Sequence, residues 1–272
     1  MKTLVLANQK GGVGKSAVAT LLAHHIARQG RRVLAIDLDH QANFSKAVRL
    51  SQRAAIAPVT SDALLTTPVN STPDAPLVLV PGDRALIGLE RQPALHTPFA
   101  RNLHAFLAAV DGRFDVCVID THPNPDIRLI AALASADFVL SPIQLNQEAM
   151  DGVSALLNHE RVGVRKIKAV LNPRLHLIGL LPTMVEPTPF QKGNFVQLIQ
   201  QYRSLLIPVG AGIGEFAFIP RRSAVAEAQA TGAVLWEMKK TAARDAWKEI
   251  EPSIARIAAI VTGQLADHAA AA

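Results

Sequence analysis

The chain has 272 residues, of which 49% are apolar and only 4% aromatic. It is long enough to bury a substantial core, and a core of Ala, Val, Leu and Ile suits packed helices and parallel strands better than a β-sandwich. The single cysteine, Cys117, excludes an internal disulfide framework and a cysteine cluster for zinc or iron–sulfur, and it indicates a reducing compartment. No run of about 18 uninterrupted apolar residues is present, so we expect no membrane span.

Basic residues are concentrated in one part of the chain. The net charge is +6, and residues 161–250 hold 13 Lys and Arg against 6 Asp and Glu, whereas the remainder holds 15 against 16. A localised positive field is what the surface of a polyanion requires in a partner. A solvated face that is merely basic is the alternative interpretation.

Strand-like and helix-like segments alternate along the chain. Residues 3–7 and 32–37 are predicted strands, and residues 15–29 between them have helical spacing. The least regular segment, 51–76, is rich in Pro, Thr and Ser and is predicted to be an exposed excursion. The alternation predicts a doubly wound, mostly parallel α/β sheet flanked by helices, with ligands at the carboxyl ends of the strands. Further strands are predicted at 77–80, 114–120, 137–142, 177–185 and 216–220, and further helices at 98–111, 126–135, 147–161, 191–205 and 223–261.

A glycine-rich loop, GGVGKSA, follows the first strand and opens the first helix. Its backbone can turn N–H groups toward phosphate oxygens, Lys15 is expected to reach the terminal phosphates, and the Ser16 hydroxyl can ligate Mg²⁺. The ordinary pattern would start with a glycine at position 9, where the chain has Gln9, and Lys10 is a second lysine. The loop is therefore a variant. The residues predicted to bind nucleotide here are Gly11, Gly12, Val13, Gly14, Lys15, Ser16 and Ala17.

The loop resembles that of the deviant Walker-A ATPases of the ParA and MinD group, which reads K-G-G-x-G-K-S/T. The resemblance implies that Lys10 is the signature lysine, which crosses into the partner subunit of an ATP-sandwich dimer and contacts the partner's nucleotide phosphates. A cation supplied in this way would neutralise charge that develops on the transferred phosphoryl group, as an arginine finger does. A solvated loop lysine is the alternative.

Two carboxylate segments also match the group. DLDHQANFS is similar to D-x-D-P-Q-G-N, which implies that Asp37 holds a Mg²⁺ water and that Asp39 orients the attacking water. The strand FDVCVID ends in Asp120, which corresponds to the Walker-B carboxylate that binds Mg²⁺ through water. His40 and His122 stand where these patterns have proline. Both are interpreted as polar loop residues, with a switch role for His122 as the alternative.

Later segments extend the resemblance over residues 4–262. ADFVLSPIQ resembles A-D-x-V-I/L-x-P-x-Q, a segment that meets the partner subunit, which implies Gln144 and Glu148 as dimer contacts. LIGLLPTMV and EFAFIPRRSAVAEA resemble segments whose strand ends flank the adenine. Core filling is the alternative role for the methionine among the implied residues. The implied adenine contacts are Thr183, Met184, Pro220 and Arg221.

Asn8 and Gln9 precede the signature lysine, as in ParA proteins, whereas MinD relatives carry S-G at these positions and end in a basic amphipathic helix on the membrane. The final segment of this chain, 249–268, carries one arginine and three acids, so we expect no membrane anchor. Because the chain begins at its first strand, we expect no N-terminal helix-turn-helix and a single P-loop ATPase domain over residues 1–272.

The resemblance implies a cytoplasmic, nucleoid-associated ParA-like ATPase for plasmid or chromosome partition. Its cofactors would be ATP or ADP and Mg²⁺, its ATP homodimer would bind DNA without sequence preference, and a ParB-like centromere-binding partner would stimulate hydrolysis. A positioning ATPase for another cargo, such as a protein compartment or conjugation complex, shares every motif. A MinD-like regulator and a soluble biosynthetic P-loop enzyme are further alternatives. The candidate DNA contacts, each also explicable as ordinary surface charge, are Lys192, Arg203, Arg221, Arg222, Lys239, Lys240 and Arg244.

Overall fold

The computed structural model describes residues 1–210 and 215–264. Its strands, in chain order, are β1 (Lys2–Leu6), β2 (Val33–Asp37), β3 (Ala55–Ile56), β4 (Leu77–Val80), β5 (Val116–Asp120), β6 (Phe138–Gln144), β7 (His176–Val185) and β8 (Ile219–Pro220). They form one sheet in the order β3-β4-β2-β5-β1-β6-β7-β8, and each neighbouring pair is parallel. The predicted doubly wound, parallel α/β fold is confirmed.

Helices cover both faces of the sheet. In chain order they are α1 (Lys15–Arg28), α2 (Asn43–Leu50), α3 (Ser61–Thr66), α4 (His96–Ala109), α5 (Ile127–Ser135), α6 (Ala149–Asn158), α7 (Val164–Val170), α8 (Pro189–Tyr202), α9 (Ser223–Thr231) and α10 (Thr241–Val261). One core contains side chains of α3 to α8, and the other contains side chains of α1, α2, α9 and α10. The crossover helices are thus divided between two layers, which is the doubly wound arrangement.

The central strands are mostly apolar because both faces of the sheet are covered. Within β1, Val5 belongs to one core, whereas Leu4 and Leu6 belong to the other. This division follows from the two-residue period of a strand. The side chains at the carboxyl ends of these strands, by contrast, are polar, and they meet at one edge of the sheet.

The prediction of an exposed excursion at 51–76 is wrong for part of that segment. β3 extends the sheet beside β4, and α3 packs Leu64 and Leu65 into the core with exposures of 0% and 1%. The irregular composition hid these elements because both are very short, so they show too little of a periodic pattern to be recognised.

The single helix predicted over 223–261 is also wrong. It is divided into α9 and α10, and Gly232 ends α9 with a left-handed φ of 72°. A Cβ on this residue would lie 2.4 Å from the backbone carbon of Leu50, so the chain turns where α9 passes closely over the end of α2. Glycine is the usual residue at such a helix end because it lacks that Cβ.

None of the described helices combines the length and apolar composition that crossing a bilayer requires. The end of the segment 249–268, with its acidic residue Asp267, lies outside the described residues.

We predict that Gly232→Ala lowers the free energy of unfolding by at least about 1–2 kcal/mol, the cost of a left-handed conformation with a Cβ, before the clash with Leu50 is added. Thermal unfolding of the purified chain measures this as a fall in Tm of several degrees, at about 2–4 °C per kcal/mol. The matched control is Gly193→Ala in α8, where an added Cβ meets no atom within 4 Å. That change should leave Tm unchanged or raise it slightly. Equal Tm values for the two variants would contradict the prediction.

Candidate active site

The predicted phosphate loop lies between β1 and α1. The helix begins at Lys15, and Gly14 precedes it as the capping residue. Gly12 and Gly14 have φ angles of 74° and 85°, which glycine adopts without steric cost. The loop therefore brings its backbone to the start of α1, where free N–H groups and the helix dipole favour an anion.

Lys15 is buried at the base of this loop. Its Nζ donates to the backbone carbonyls of Asn8, at 3.2 Å, and Lys10, at 3.0 Å. Burial lowers the pKa of Lys15, and the carboxylates of Asp120 and Asp39 oppose that shift. The amine is therefore held next to the loop by two carbonyl contacts that phosphate oxygens can replace.

Asp120 and Asp37 lie side by side at the ends of β5 and β2, where they are in register. Oδ2 of Asp120 accepts a hydrogen bond from the Ser16 hydroxyl at 2.6 Å, and Oδ1 is buried without a partner in the described part of the chain. Burial raises the pKa of Asp120, and the Asp37 carboxylate raises it further. An orphaned carboxylate oxygen beside a serine hydroxyl fits a Mg²⁺ ion bound through water.

Asp37 has a different set of contacts. Its Oδ1 accepts from the backbone N–H of Asp39 at 3.0 Å, and its Oδ2 accepts from the N–H and the hydroxyl of Ser45 at 2.8 and 2.6 Å. Burial raises the pKa of Asp37 to about 6, although these hydrogen bonds lower it. Both oxygens thus close the loop between β2 and α2, and the metal role of Asp37 stays a prediction.

Gly82 is a requirement of this loop that the sequence reasoning missed. A Cβ on Gly82 would lie 2.6 Å from the carbonyl oxygen of Asp39 and 2.9 Å from that of Asp37. Its N–H donates to Ser45 Oγ at 3.0 Å. The Pro-Gly pair directly after β4 is the signal in the sequence for this close turn.

Asp39 is the carboxylate that faces the cavity over the phosphate loop. It is buried, and its Oδ1 accepts from the N–H of Gln41 at 2.9 Å. The cavity has a volume of about 510 Å³, and Lys10 does not line it. The predicted residues on its wall are Gly11, Gly12, Val13, Gly14, Lys15, Ser16, Ala17, Asp39 and Met184.

Several residues on this wall were not predicted as binding residues. Asn43 and Lys46 stand three residues apart on α2, directly after the Asp39 loop, and this helical spacing is the signal that could have identified them. The wall residues on α9 have no such sequence pattern, because their position at the cavity depends on how that helix packs. The additional wall residues are Gln41, Asn43, Lys46, His122, Pro123, Ala226, Gln229 and Ala230.

The residues predicted around the adenine are placed in two different regions. Thr183 Oγ1 donates to the Val13 carbonyl at 2.8 Å, and Met184 lines the cavity with a left-handed φ of 52°. Pro220 and Arg221 do not line the cavity. The Arg221 N–H instead continues the sheet by donating to Val185 at 3.0 Å. An adenine contact from these two residues stays a prediction.

Lys10 and Glu148, both predicted at the dimer interface, form an ion pair within the chain. The Lys10 Nζ also donates to Asn146 Oδ1 at 3.4 Å. The Lys10 ammonium lowers the pKa of the exposed Glu148 carboxyl. Gln144, the third predicted dimer residue, donates to the Gly12 carbonyl at 3.0 Å. All three side chains therefore lie around the phosphate loop of their own subunit.

His40 and His122 lie together beside Asp39. Their ring centroids are 4.5 Å apart. Burial lowers the pKa of His122, and the Asp39 carboxylate opposes that shift. The two departures from the proline patterns thus occupy one place in the fold, on the side of the cavity that carries Asp39.

Some of the predicted DNA contacts form ion pairs with acidic residues of the chain, and others do not. Arg222 is paired with Glu249 at 2.7 Å, and Arg221 is paired with Glu186 at 3.4 Å. Lys240 is paired with an acidic residue of α9, and the Arg203 guanidinium lies 5.6 Å from the centre of an aromatic ring. The predicted contacts with neither an ion-pair partner nor an aromatic ring contact among residues 1–210 and 215–264 are Lys192, Lys239 and Arg244.

Comparison with known proteins identifies relatives of this site and fold. A family model described as "AAA domain" matches residues 1–177. Protein IncC from Escherichia coli is 34% identical over 260 residues, covering 92% of this chain and 67% of that protein. The chromosome-partitioning ATPase Soj from Thermus thermophilus is 33% identical over 238 residues, covering 85% of this chain and 86% of that protein.

A solved structure shares the fold as well. Cobyrinic acid a,c-diamide synthase from Mycobacterium smegmatis, with bound ADP and magnesium, superposes with a TM-score of 0.68 at 27% identity and covers 85% of this chain and 91% of that one. The sequence relatives are more similar to this chain, and their family is the one that the glycine loop and the carboxylate segments resemble. The chain belongs to the ParA family of ATPases.

Proposed function

We propose that this protein hydrolyses ATP in the cavity over the phosphate loop, as the ATPase of a plasmid or chromosome partition system. The observation that carries the proposal is the meeting of three groups at one edge of the sheet: the loop with Lys15, the buried carboxylate of Asp120, and Asp39 facing the cavity. Phosphoryl transfer needs positioning and charge neutralisation, which these groups can supply. The chromosome-partitioning role of Soj and the similarity to IncC support the choice of process.

Each group has one proposed task. Lys15 exchanges its two carbonyl contacts for phosphate oxygens, and the loop N–H groups bind the phosphates. Ser16 and Asp120 would hold Mg²⁺, which supplies positive charge to the phosphate oxygens when bound. Asp37 keeps the loop closed so that Asp39 faces the cavity, and Asp39 orients the attacking water.

Lys10 is proposed to act in the partner subunit of an ATP-dependent homodimer. The Lys10 side chain is 31% exposed, and its ammonium is paired with Glu148, whose side chain is 68% exposed. Exposed ion pairs contribute little to stability, so this contact is easily exchanged for the partner's phosphates. Gln144 and Glu148, which lie around the same loop, are the proposed neighbouring dimer contacts.

We predict that Lys10→Ala leaves nucleotide binding by the monomer intact and reduces ATP hydrolysis at least about a hundredfold, because a transition-state cation supplied in trans is worth roughly 10³–10⁵ in rate. Nucleotide titration and a phosphate-release assay on the same preparations measure the two effects. Lys15→Ala should abolish binding itself. Lys166→Ala, an exposed lysine of α7, is the matched control and should change neither.

Lys10→Ala that loses nucleotide as completely as Lys15→Ala would show that Lys10 acts in its own subunit. Normal turnover in Lys10→Ala would remove it from the reaction altogether.

The ATP dimer is proposed to bind DNA without sequence preference and thereby to associate with the nucleoid. The supporting observation is the basic excess of residues 161–250, where Lys192, Lys239 and Arg244 are exposed and without ion-pair partners among the described residues. Such cations release counterions from phosphates, whereas paired ones must first break a contact. Arg221, Arg222 and Lys240 are therefore weaker candidates, and so is Arg203, whose guanidinium already contacts an aromatic ring.

We predict that DNA is retained in gel shifts with ATP, and not with ADP or without nucleotide. In the ATP state, Lys239→Ala combined with Arg244→Ala should weaken binding to all sequences alike, and it should reduce the slope of log affinity against log salt by about two for each subunit of the dimer that contacts DNA, since each lost phosphate contact contributes about 0.9. The matched control is Lys166→Ala combined with Lys168→Ala, which removes the same charge from α7.

Retention that is equal in the three nucleotide conditions would contradict the ATP switch. An equal loss in both double variants would mean that overall charge, and not the surface near α10, governs DNA binding.

A ParB-like centromere-binding protein is the proposed partner that stimulates hydrolysis and so releases the dimer from DNA. Hydrolysis then times a cycle of binding and release. A biosynthetic reaction is not proposed, because Soj, a chromosome-partitioning ATPase, is 33% identical to this chain, whereas the synthase shares the fold at 27% identity.

A further inference from the structure

The paired histidines are the feature of the site that the proposed cycle does not use. His40 and His122 lie with ring centroids 4.5 Å apart, and their nitrogens come within 4.8 Å of an Asp39 carboxylate oxygen. His122 also lines the cavity together with Asp39 and the phosphate loop. Both histidines therefore lie at the end of the cavity where Asp39 is proposed to orient water.

The tautomer of His122 follows from one hydrogen bond. The backbone N–H of Asn124 donates to His122 Nδ1 at 3.1 Å. A ring nitrogen that accepts from an N–H carries no proton, so the proton of the neutral ring is on Nε2. No group in residues 1–210 or 215–264 accepts a hydrogen bond from this Nε2–H. A donor on the wall of the cavity thus lacks an acceptor from the protein.

Contacts from Arg128 and His40 hold the His122 ring in position. Arg128 is buried, and its guanidinium Nε donates to both carboxylate oxygens of Asp126, at 3.2 and 3.0 Å. Its Nη1 donates to His40 Nδ1 at 3.3 Å, and His40 packs on His122. A donor held in place before its ligand arrives stabilises that ligand more than a mobile one, because no reorientation is needed on binding.

The hydrogen bonds accepted by Nδ1 of His122 and Nδ1 of His40 determine which kind of ligand the two rings can bind. Two imidazoles and a carboxylate are also a donor set for a transition metal. However, Nδ1 accepts a hydrogen bond in each ring, so the other nitrogen of His122, a residue of the cavity wall, carries a proton and not a lone pair. An N–H donor next to a phosphate loop favours an anion over a cation.

We propose that His122 donates a hydrogen bond from Nε2 to the terminal phosphate of bound ATP and so makes the site distinguish a triphosphate from a diphosphate. The proposal rests on the proposed ATP site and adds a phosphate contact to it. The proline that stands at this position in the family pattern has no side-chain donor. The proposed contact is therefore a feature of this chain and not of the family pattern.

The test compares the affinities for ATPγS and ADP, each with Mg²⁺, by isothermal titration of the full chain and two variants. His122→Phe keeps a ring beside His40 and removes the N–H, whereas His122→Gln keeps an N–H donor at the position of Nε2. We expect His122→Phe to weaken ATPγS binding at least about tenfold, as expected for one hydrogen bond to a charged group, and to leave ADP binding unchanged. His122→Gln should restore most of the loss. His104→Phe, on the exposed face of α4, is the matched control and should change neither affinity.

Three results would overturn the proposal: unchanged ATPγS binding in His122→Phe, equal weakening of ATPγS and ADP, or a His122→Gln protein no better than His122→Phe. A wild-type chain that binds neither nucleotide would instead overturn the proposed function, and the phosphate contact with it. The two failures are distinguishable, because only the second affects the unmodified protein.

Discussion

The register between β2 and β5 is the constraint on which the site depends. It places Asp37 and Asp120 side by side at the ends of two buried strands, and Lys15 lies near them under the phosphate loop. Burial raises the pKa of both carboxyl groups and lowers that of Lys15, so it disfavours the charged form of all three, whereas Asp120 and Lys15 each favour the charged form of the other. At this buried edge, a carboxylate and an ammonium group are therefore more stable together than either charge is alone. A ligand that brings phosphates and a divalent cation adds both signs together, which is why one buried edge suits that ligand.

The two neighbouring carboxylates are not equivalent, although both end a strand. Asp37 has both oxygens occupied by groups of its own loop, whereas Asp120 has one oxygen without a partner in the described part of the chain. The closed loop after Asp37 fixes the backbone of Asp39, and the bare Cα of Gly82 allows that backbone to pass closely. Asp37 thus positions Asp39, which faces the cavity. Asp120 has an oxygen that remains available to an external ligand.

The features that depend on local pattern could mostly be predicted from the sequence. The long apolar strands, the glycine loop and the residues Lys15, Ser16, Asp39 and Asp120 were found because strand ends and loop motifs are contiguous in the chain. The short elements β3 and α3, and the break at Gly232, were not, since two-residue strands and close helix crossings depend on tertiary packing. The same reason explains why the α9 residues on the cavity wall cannot be predicted from the sequence. Ion pairing also cannot be predicted from the sequence, because the acidic partners of Arg222 and Lys240 come from other parts of the chain.

The two lysines of the loop are linked through the backbone. The carbonyl of Lys10 accepts from Lys15 Nζ at 3.0 Å, and the side chain of Lys10 is tied to Asn146 and Glu148 before and at the start of α6. A phosphate that draws Lys15 Nζ toward itself would remove this hydrogen bond from the Lys10 carbonyl, which belongs to the backbone and not to the Lys10 side chain. The contacts of the Lys10 side chain are a long hydrogen bond and an exposed ion pair, which compete weakly with a phosphate. Under the proposed function, the Lys10 side chain would have only these weak contacts to break, which is what a lysine that reaches a second subunit requires.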